Sequence, residues 1–111
     1  MNIALSRLLP ATASVVAVMT GVMSPAANAQ DAGALAQKSN CMACHAVDKK
    51  VVGPAFKDVA GRYRGKPGAE MAVAKSIRQG SSGNWGGMPM PPNAGVSDEQ
   101  AKQLAKWVLS Q

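Results

Sequence analysis

The apolar positions of this chain recur at the spacing of α-helices. Four of them stand at positions i, i+3, i+4 and i+7 of one stretch and so share a helix face: Phe56, Val59, Ala60 and Tyr63. Val73 and Ile77, one turn apart, predict a second helix over residues 69–79, which Gly80 ends. An alanine-rich segment over residues 32–40, with Leu35 on its apolar side, predicts a shorter helix near the start.

The last helix has the clearest start signal. Residues 97–100 form a capping box, in which the hydroxyl of Ser97 accepts from the backbone N–H of Gln100 and the Gln100 side chain reaches back. The apolar residues behind the box share one face, which predicts a helix packed on a core: Ala101, Leu104, Ala105 and Val108. No alternating or β-branched run requires a strand, so the predicted fold class is all-α.

Residues 81–95, SSGNWGGMPMPPNAG, interrupt the helical pattern with four glycines and three prolines. This composition excludes a helix or a central strand. Loops of this length within a small domain are uncommon and usually functional. Met90 lies between Pro89 and Pro91, and proline restricts both its own backbone and that of the residue before it. A loop that only connects two helices would not need such stiffening.

The first 29 residues have the features of a secretory signal. Arg7 is the only charged residue before Asp31, and an apolar run follows it as far as Val22. The run is shorter than the roughly 20 residues of a membrane-spanning helix, and residues 27–29 (Ala-Asn-Ala) form an A-x-A cleavage site. We therefore expect residues 1–29 to be removed, leaving one domain of residues 30–111 in the periplasm without a membrane anchor.

The chain of 111 residues is basic, with a formal net charge of +6 that falls to +5 when Arg7 is removed. Most of the cations lie between residues 49 and 78. An exported protein rarely meets nucleic acid, so we expect no nucleic-acid partner. The basic face is either a solvated surface or one that steers an acidic protein partner. A monomer is expected.

Both cysteines and the single histidine lie within five consecutive residues, Cys41-Met42-Ala43-Cys44-His45. C-x-x-C-H is the attachment signature of c-type haem, in which two thiols form thioethers with the porphyrin and the next imidazole reaches the iron. A thioredoxin-like dithiol would require a βαβ context, and a structural zinc site would require four ligands. A disulfide between the two cysteines would close too small a loop to stabilise much.

Elimination reduces the candidates for the ligand on the other face of the iron, because the chain has no second histidine. Met42 lies within the attachment turn, and Met71 lies on a predicted helix, where we expect it to fill the core. The flanking prolines and the nearby amide of Asn93 favour Met90 over Met88, which stays open as the alternative ligand. An iron with no sixth protein ligand would instead suit a sensor or a peroxidase-like protein.

Four segments resemble the small bacterial class I c-type cytochromes of the cytochrome c-551 (c-552) group: NCMACH, VVGPAFKDVA, GNWGGMPMPPN and AKQLAKWVLSQ. The resemblance extends over essentially all of the predicted mature chain. It implies a cytochrome c fold of four to five short helices around one covalently bound haem c. The first and last helices would then pack together near Leu35 and Trp107.

The resemblance also implies a role for each site residue. It places the thioethers and the iron ligands on four residues: Cys41, Cys44, His45 and Met90. Pro54 matches the proline whose carbonyl accepts from the ring N–H of the ligand histidine. Trp85 matches the indole that donates to a haem propionate, with core filling as the alternative, and Asn93 matches the amide near the ligand sulfur. Ser76 stands where relatives often carry an arginine near a propionate, and Arg78 is a candidate to replace that arginine.

An iron held by His45 and Met90 has no vacant position for a substrate, so these residues predict an electron carrier and not an enzyme. The resemblance implies transient partners in respiration or denitrification, such as a haem nitrite reductase, a terminal oxidase, a cytochrome c peroxidase or an upstream quinol-oxidising complex. Two alternatives stay open. One is a five-coordinate haem sensor or peroxidase-like protein, and the other is a dithiol redox protein without haem.

Overall fold

The computed structural model describes residues 25–111 and, before them, the isolated positions 10, 11, 14, 17 and 21. Four α-helices and one 3₁₀ turn follow each other in this part: α1 (Pro25–Lys38), the 3₁₀ turn (Cys41–Ala43), α2 (Phe56–Tyr63), α3 (Ala69–Gln79) and α4 (Asp98–Leu109). Over these residues the chain forms no strand beyond two isolated bridges, His45–Lys50 and Ser81–Met90. The predicted all-α class is confirmed.

Helix α1 differs from its predicted bounds of 32–40. It begins at Pro25, because an alanine-rich segment with proline in the first turn is a good helix start, and it ends at Lys38. Asn40 adopts a left-handed conformation with φ 61°, which stops the helix and turns the chain into the 3₁₀ turn. Apart from the start of α1 and the isolated positions before it, the predicted signal segment lies outside the described residues. Its removal after Ala29 stays a prediction.

The predicted bounds of α3 and the start of α4 agree with the structure. In the capping box the backbone N–H of Gln100 donates to Oγ of Ser97 over 3.1 Å, and the backbone N–H of Ser97 donates to Oε1 of Gln100 over 3.0 Å. Two N–H groups that the first turn leaves without helical partners are satisfied in this way. None of the helices in the described residues has the length and hydropathy needed to cross a membrane.

Helix α4 packs against each of the other three helices and supplies the centre of the core. Its buried face consists of the residues predicted for it: Ala101, Leu104, Ala105 and Val108. Helix α1 approaches α4 closely at Gly33, where an ideal Cβ would lie 3.6 Å from Nε1 of Trp107. Leu35 and Trp107 both pack on the core cluster. The predicted contact between the first and last helices is confirmed.

The prediction that Met71 fills the core is wrong, because 66% of its surface is exposed. Val73 and Ile77 are the residues of α3 that face α4. Met71 precedes Val73 by two positions, which is about 200° around an α-helix, so it lies on the solvent side.

Candidate functional site

Two adjoining cavities, of about 580 Å³ and about 360 Å³, lie between the helices and the loop that follows α3. They share a mostly apolar wall made of eight residues: Cys44, His45, Phe56, Ile77, Met90, Pro91, Pro92 and Val108. Every site residue predicted from the sequence lines one cavity or both: Cys41, Cys44, His45, Pro54, Trp85, Met90 and Asn93. The fold therefore brings these residues together from segments that are far apart in the sequence.

The 3₁₀ turn Cys41–Ala43 positions the two cysteines. The backbone N–H groups of Cys44 and His45 both donate to the carbonyl oxygen of Cys41, over 3.3 and 3.0 Å, and both cysteines are half-buried free thiols. Burial raises the pKa of the Cys41 thiol and outweighs the opposite effect of a backbone hydrogen bond. A dithiol oxidoreductase needs the reverse, a thiol of lowered pKa, so this turn does not favour the dithiol alternative.

The imidazole of His45 is held in one orientation by its neighbours. Nδ1 lies 2.7 Å from the carbonyl oxygen of Pro54, and because a carbonyl can only accept, Nδ1 carries the proton. Nε2 is therefore left with its lone pair for a metal. Phe56 stacks on the ring with centroids 5.0 Å apart. A Cβ added to Gly53 would lie 2.5 Å from Cε1 of His45, so the loop can approach the ring only with glycine there.

Residues 81–95, which we call the Met loop, are closed at their base by a pairing of Ser81 with Met90. Ser81 and Met90 exchange two backbone hydrogen bonds, of 3.0 and 2.8 Å. Gly80 makes this closure possible with φ 76° and ψ 176°, and a Cβ there would lie 2.5 Å from the carbonyl oxygen of Met90. Met90 lines both cavities, whereas Met88 lines only the larger one and is 69% exposed. The closed base of the loop thus fixes the backbone of Met90 and not that of Met88.

Asn93 ties the end of the Met loop to α3 and to the turn that follows α1. Its side-chain Nδ2 donates to the carbonyl oxygen of Ser39 over 3.0 Å, and its backbone N–H donates to the carbonyl oxygen of Ile77 over 2.9 Å. A contact between the Asn93 amide and a ligand sulfur stays a prediction.

Arg78, the candidate to replace the arginine missing at position 76, makes its contacts outside the two cavities, and a role at a propionate stays a prediction. Ser76 lines the larger cavity, but Arg78 lines neither. Nη1 of Arg78 donates to the carbonyl oxygen of Val96 over 2.6 Å, and its Nε lies 3.5 Å from Oδ1 of Asp98. These contacts use the guanidinium to join α3 to the start of α4.

The sequence analysis missed Arg62, which lies in the last turn of α2. The Cζ atom of Arg62 stands 3.5 Å from the centroid of the Trp85 ring, and Nη1 donates to the carbonyl oxygen of Asn84. The two partners follow Arg62 by more than 20 residues, so no spacing rule for helices or turns links them. The roles of Gly53, Phe56 and Gly80 also depend on contacts between separate segments.

The donor set fits a covalently attached haem. Two thiols three residues apart, an imidazole with Nε2 free and a methionine side chain line the same pair of cavities. No group of three or more His, Cys, Asp or Glu side chains in the described part of the chain could hold a metal ion by itself.

Comparisons with known proteins agree with this fit. The family model described as Cytochrome c matches residues 20–111. Cytochrome c-551 of Pseudomonas aeruginosa is 57% identical over 83 residues, which cover 75% of this chain and 79% of that protein. Cytochrome c-552 of Nitrosomonas europaea is 57% identical over 76 residues, which cover 68% and 74%. The crystal structure of wild-type Nitrosomonas europaea cytochrome c552 superimposes with a TM-score of 0.69 at 55% identity, covering 70% of this chain and 96% of that one.

Proposed function

This chain belongs to the cytochrome c family, and from that premise we propose that it is a periplasmic one-electron shuttle whose iron is held by His45 and Met90. Family membership makes it a small electron carrier that binds haem c through its cysteine pair. The proposal adds the two axial ligands, export after removal of residues 1–29, and exchange with redox proteins of respiration or denitrification.

One observation carries the ligand assignment. The Nδ1–H of His45 donates to the carbonyl of Pro54, which leaves Nε2 for the iron. The closed base of the Met loop holds Met90 in the wall of the same cavities. The imidazole of His45 and the thioether of Met90 would then both hold the iron. No position is then left for a substrate, which supports a carrier and not an enzyme.

Different residues of the site attach the haem, restrain its ligand and surround it. Cys41 and Cys44 attach it, so that it stays with the protein through many turnovers. When bound, haem supplies one-electron exchange between ferrous and ferric iron. Phe56 and Gly53 restrain the imidazole, and the mostly apolar wall that includes Ile77 would face the bound group. Apolar surroundings limit the rearrangement of solvent when the charge changes, and a thioether ligand favours the reduced state.

We predict that the purified protein has low-spin haem bands and, when ferric, the weak far-red band of a thioether ligand. Haem is expected to stay with the polypeptide during denaturing electrophoresis, because the thioethers are covalent. An optical spectrum at neutral pH and a haem stain check both expectations. A high-spin spectrum would identify the five-coordinate sensor or peroxidase-like alternative, and a protein without haem would identify the dithiol alternative.

Exposed apolar side chains at the cavity support transient docking of a redox partner. Val52 and Met88 line the larger cavity and are both exposed, and Val51, which precedes Val52, is exposed as well. Lys49 and Lys50 directly precede Val51 in the sequence, and both are exposed. A small apolar contact with cations beside it suits an acidic partner that must dissociate after each electron.

We predict that electron exchange with an acidic redox protein slows as ionic strength rises, because salt screens the steering charges. The double variant Lys49→Gln/Lys50→Gln is expected to slow the bimolecular rate at low salt by about two- to fivefold, a fraction of the 10- to 1000-fold that charge steering can supply. Stopped-flow mixing measures both effects. The control Lys102→Gln/Lys106→Gln makes the same charge change on α4. Equal rates for the two variants, or a flat salt response of the unaltered protein, would leave the basic face without a steering role.

A further inference from the structure

The Met loop is fastened to the rest of the protein at its base and at its end. The pair Ser81–Met90 closes the base, and Asn93 bonds to Ser39 and Ile77 at the end. Residues 82–89 form the tip between these points. Among the hydrogen bonds of the described residues, only the one from Arg62 to Asn84 joins the tip to another part of the chain.

The tip has little rigidity of its own. Gly83 and Gly86 have φ of 77° and 111°, and Gly87 follows them. Glycine has the widest backbone freedom of any residue. The half-buried Trp85 is the tip's contact with the core and lines the larger cavity. What holds Trp85 therefore decides where this segment of the loop lies.

Arg62 holds the tip by two contacts at once. Its guanidinium lies over the face of the Trp85 ring with Cζ 3.5 Å from the centroid, and Nη1 donates to the carbonyl of the preceding residue, Asn84. Trp is the best aromatic partner for a cation, and the planar guanidinium of arginine can stack on its face. Neither ion pair in the described part of the chain involves Arg62. The polar interactions of the Arg62 side chain with the described residues are thus its two contacts with the Met loop.

We propose that Arg62 is a positioning residue for the sixth iron ligand. By fixing the tip of the Met loop against the end of α2, it keeps the segment that leads to Met90 in place and so slows the departure of the Met90 sulfur from the iron. This inference rests on the proposed ligation by Met90. On this proposal, the strength of the iron–sulfur bond depends in part on Arg62, an exposed residue that is distant in sequence from every iron ligand.

The test compares Arg62→Gln with Arg64→Gln, which removes the same charge two residues later. Arg64 contacts the carbonyl of Gln111 over 3.3 Å at the end of the chain, and not the Met loop. Imidazole added to the ferric protein competes with the methionine sulfur for iron. We expect Arg62→Gln to bind imidazole about three- to tenfold more tightly than the unaltered protein, from the loss of the cation–π contact and its hydrogen bond. Arg64→Gln is expected to bind it as the unaltered protein does.

A second measurement separates positioning from general stability. The temperature at which the far-red band disappears is expected to fall in Arg62→Gln by more than the temperature at which the helical circular dichroism is lost. Equal falls would assign Arg62 to the stability of the fold alone and overturn the proposal. Arg62→Lys keeps a cation that can lie over the indole but loses the planar guanidinium, so the proposal expects it to fall between Arg62→Gln and the unaltered protein.

The failure of this inference and that of the ligand assignment give different results. If Met90 does not bind the iron, the unaltered protein itself lacks the far-red band. If Met90 binds but Arg62 does not position it, the band is present and Arg62→Gln matches Arg64→Gln in imidazole affinity.

Discussion

Met90→Ala is expected to abolish the far-red band of the ferric protein and to open the ferrous iron to carbon monoxide. The chain offers the iron no second histidine, and the backbone at Met90 is fixed by its pairing with Ser81. The reduction potential is expected to fall on the order of 0.1 V or more, because the identity of the axial ligands moves haem potentials over about 0.8 V. Optical titration with carbon monoxide and redox potentiometry measure the two changes.

Met88→Ala is the matched control, because Met88 lies in the same loop, lines the larger cavity and is largely exposed. It is expected to keep the band, the closed iron and the potential. If Met90→Ala keeps the band and Met88→Ala loses it, Met88 is the ligand. If both keep it, neither loop methionine holds the iron.

Gly80→Ala is expected to destabilise the protein by at least about 1–3 kcal/mol from backbone strain alone. Its φ of 76° with ψ of 176° lies in a region open essentially to glycine only. The new Cβ would also lie 2.5 Å from the carbonyl oxygen of Met90 and 3.0 Å from the backbone nitrogen of Pro92. Both contacts are backbone atoms, which no rotamer change can move away. Denaturant unfolding followed by circular dichroism measures the loss.

Gly61→Ala provides the comparison for this change. Gly61 is an exposed residue of α2, and a Cβ there would meet no atom within 4 Å. Alanine is the better helix former, so the variant is expected to be more stable than the unaltered protein by up to about 1 kcal/mol. A Gly80→Ala variant as stable as Gly61→Ala would mean that the closure of the Met loop does not depend on glycine.

The parts of the fold that local chemistry decides could be predicted from the sequence. The bounds of α3 and the capping box at Ser97 depend on residues within one turn of each other, and both agree with the structure. The haem signature is equally local, with all its chemistry between Cys41 and His45. The core position predicted for Met71 failed because a helical location alone does not say which face of the helix is buried.

The parts that depend on contacts between distant segments could not be predicted in this way. Arg78 is close to the expected arginine position in sequence, but its bonds to Val96 and Asp98 direct it elsewhere. Arg62 reaches Asn84 and Trp85 only because α2 and the Met loop come together in space. A cation, a carbonyl and an indole have no sequence spacing in common, so only the folded geometry reveals their contact.

The approach of Gly53 to the imidazole of His45 has a genetic consequence. Any other residue at position 53 would place a carbon 2.5 Å from Cε1 of the ring, so every missense change of that codon brings a side-chain atom against the histidine of the haem signature. Because Gly53 has no side chain, a ranking of variants that considers only the side chains that bind the haem would leave Gly53 out. We expect substitutions of Gly53 to have the same phenotype as substitutions of His45 and the two cysteines.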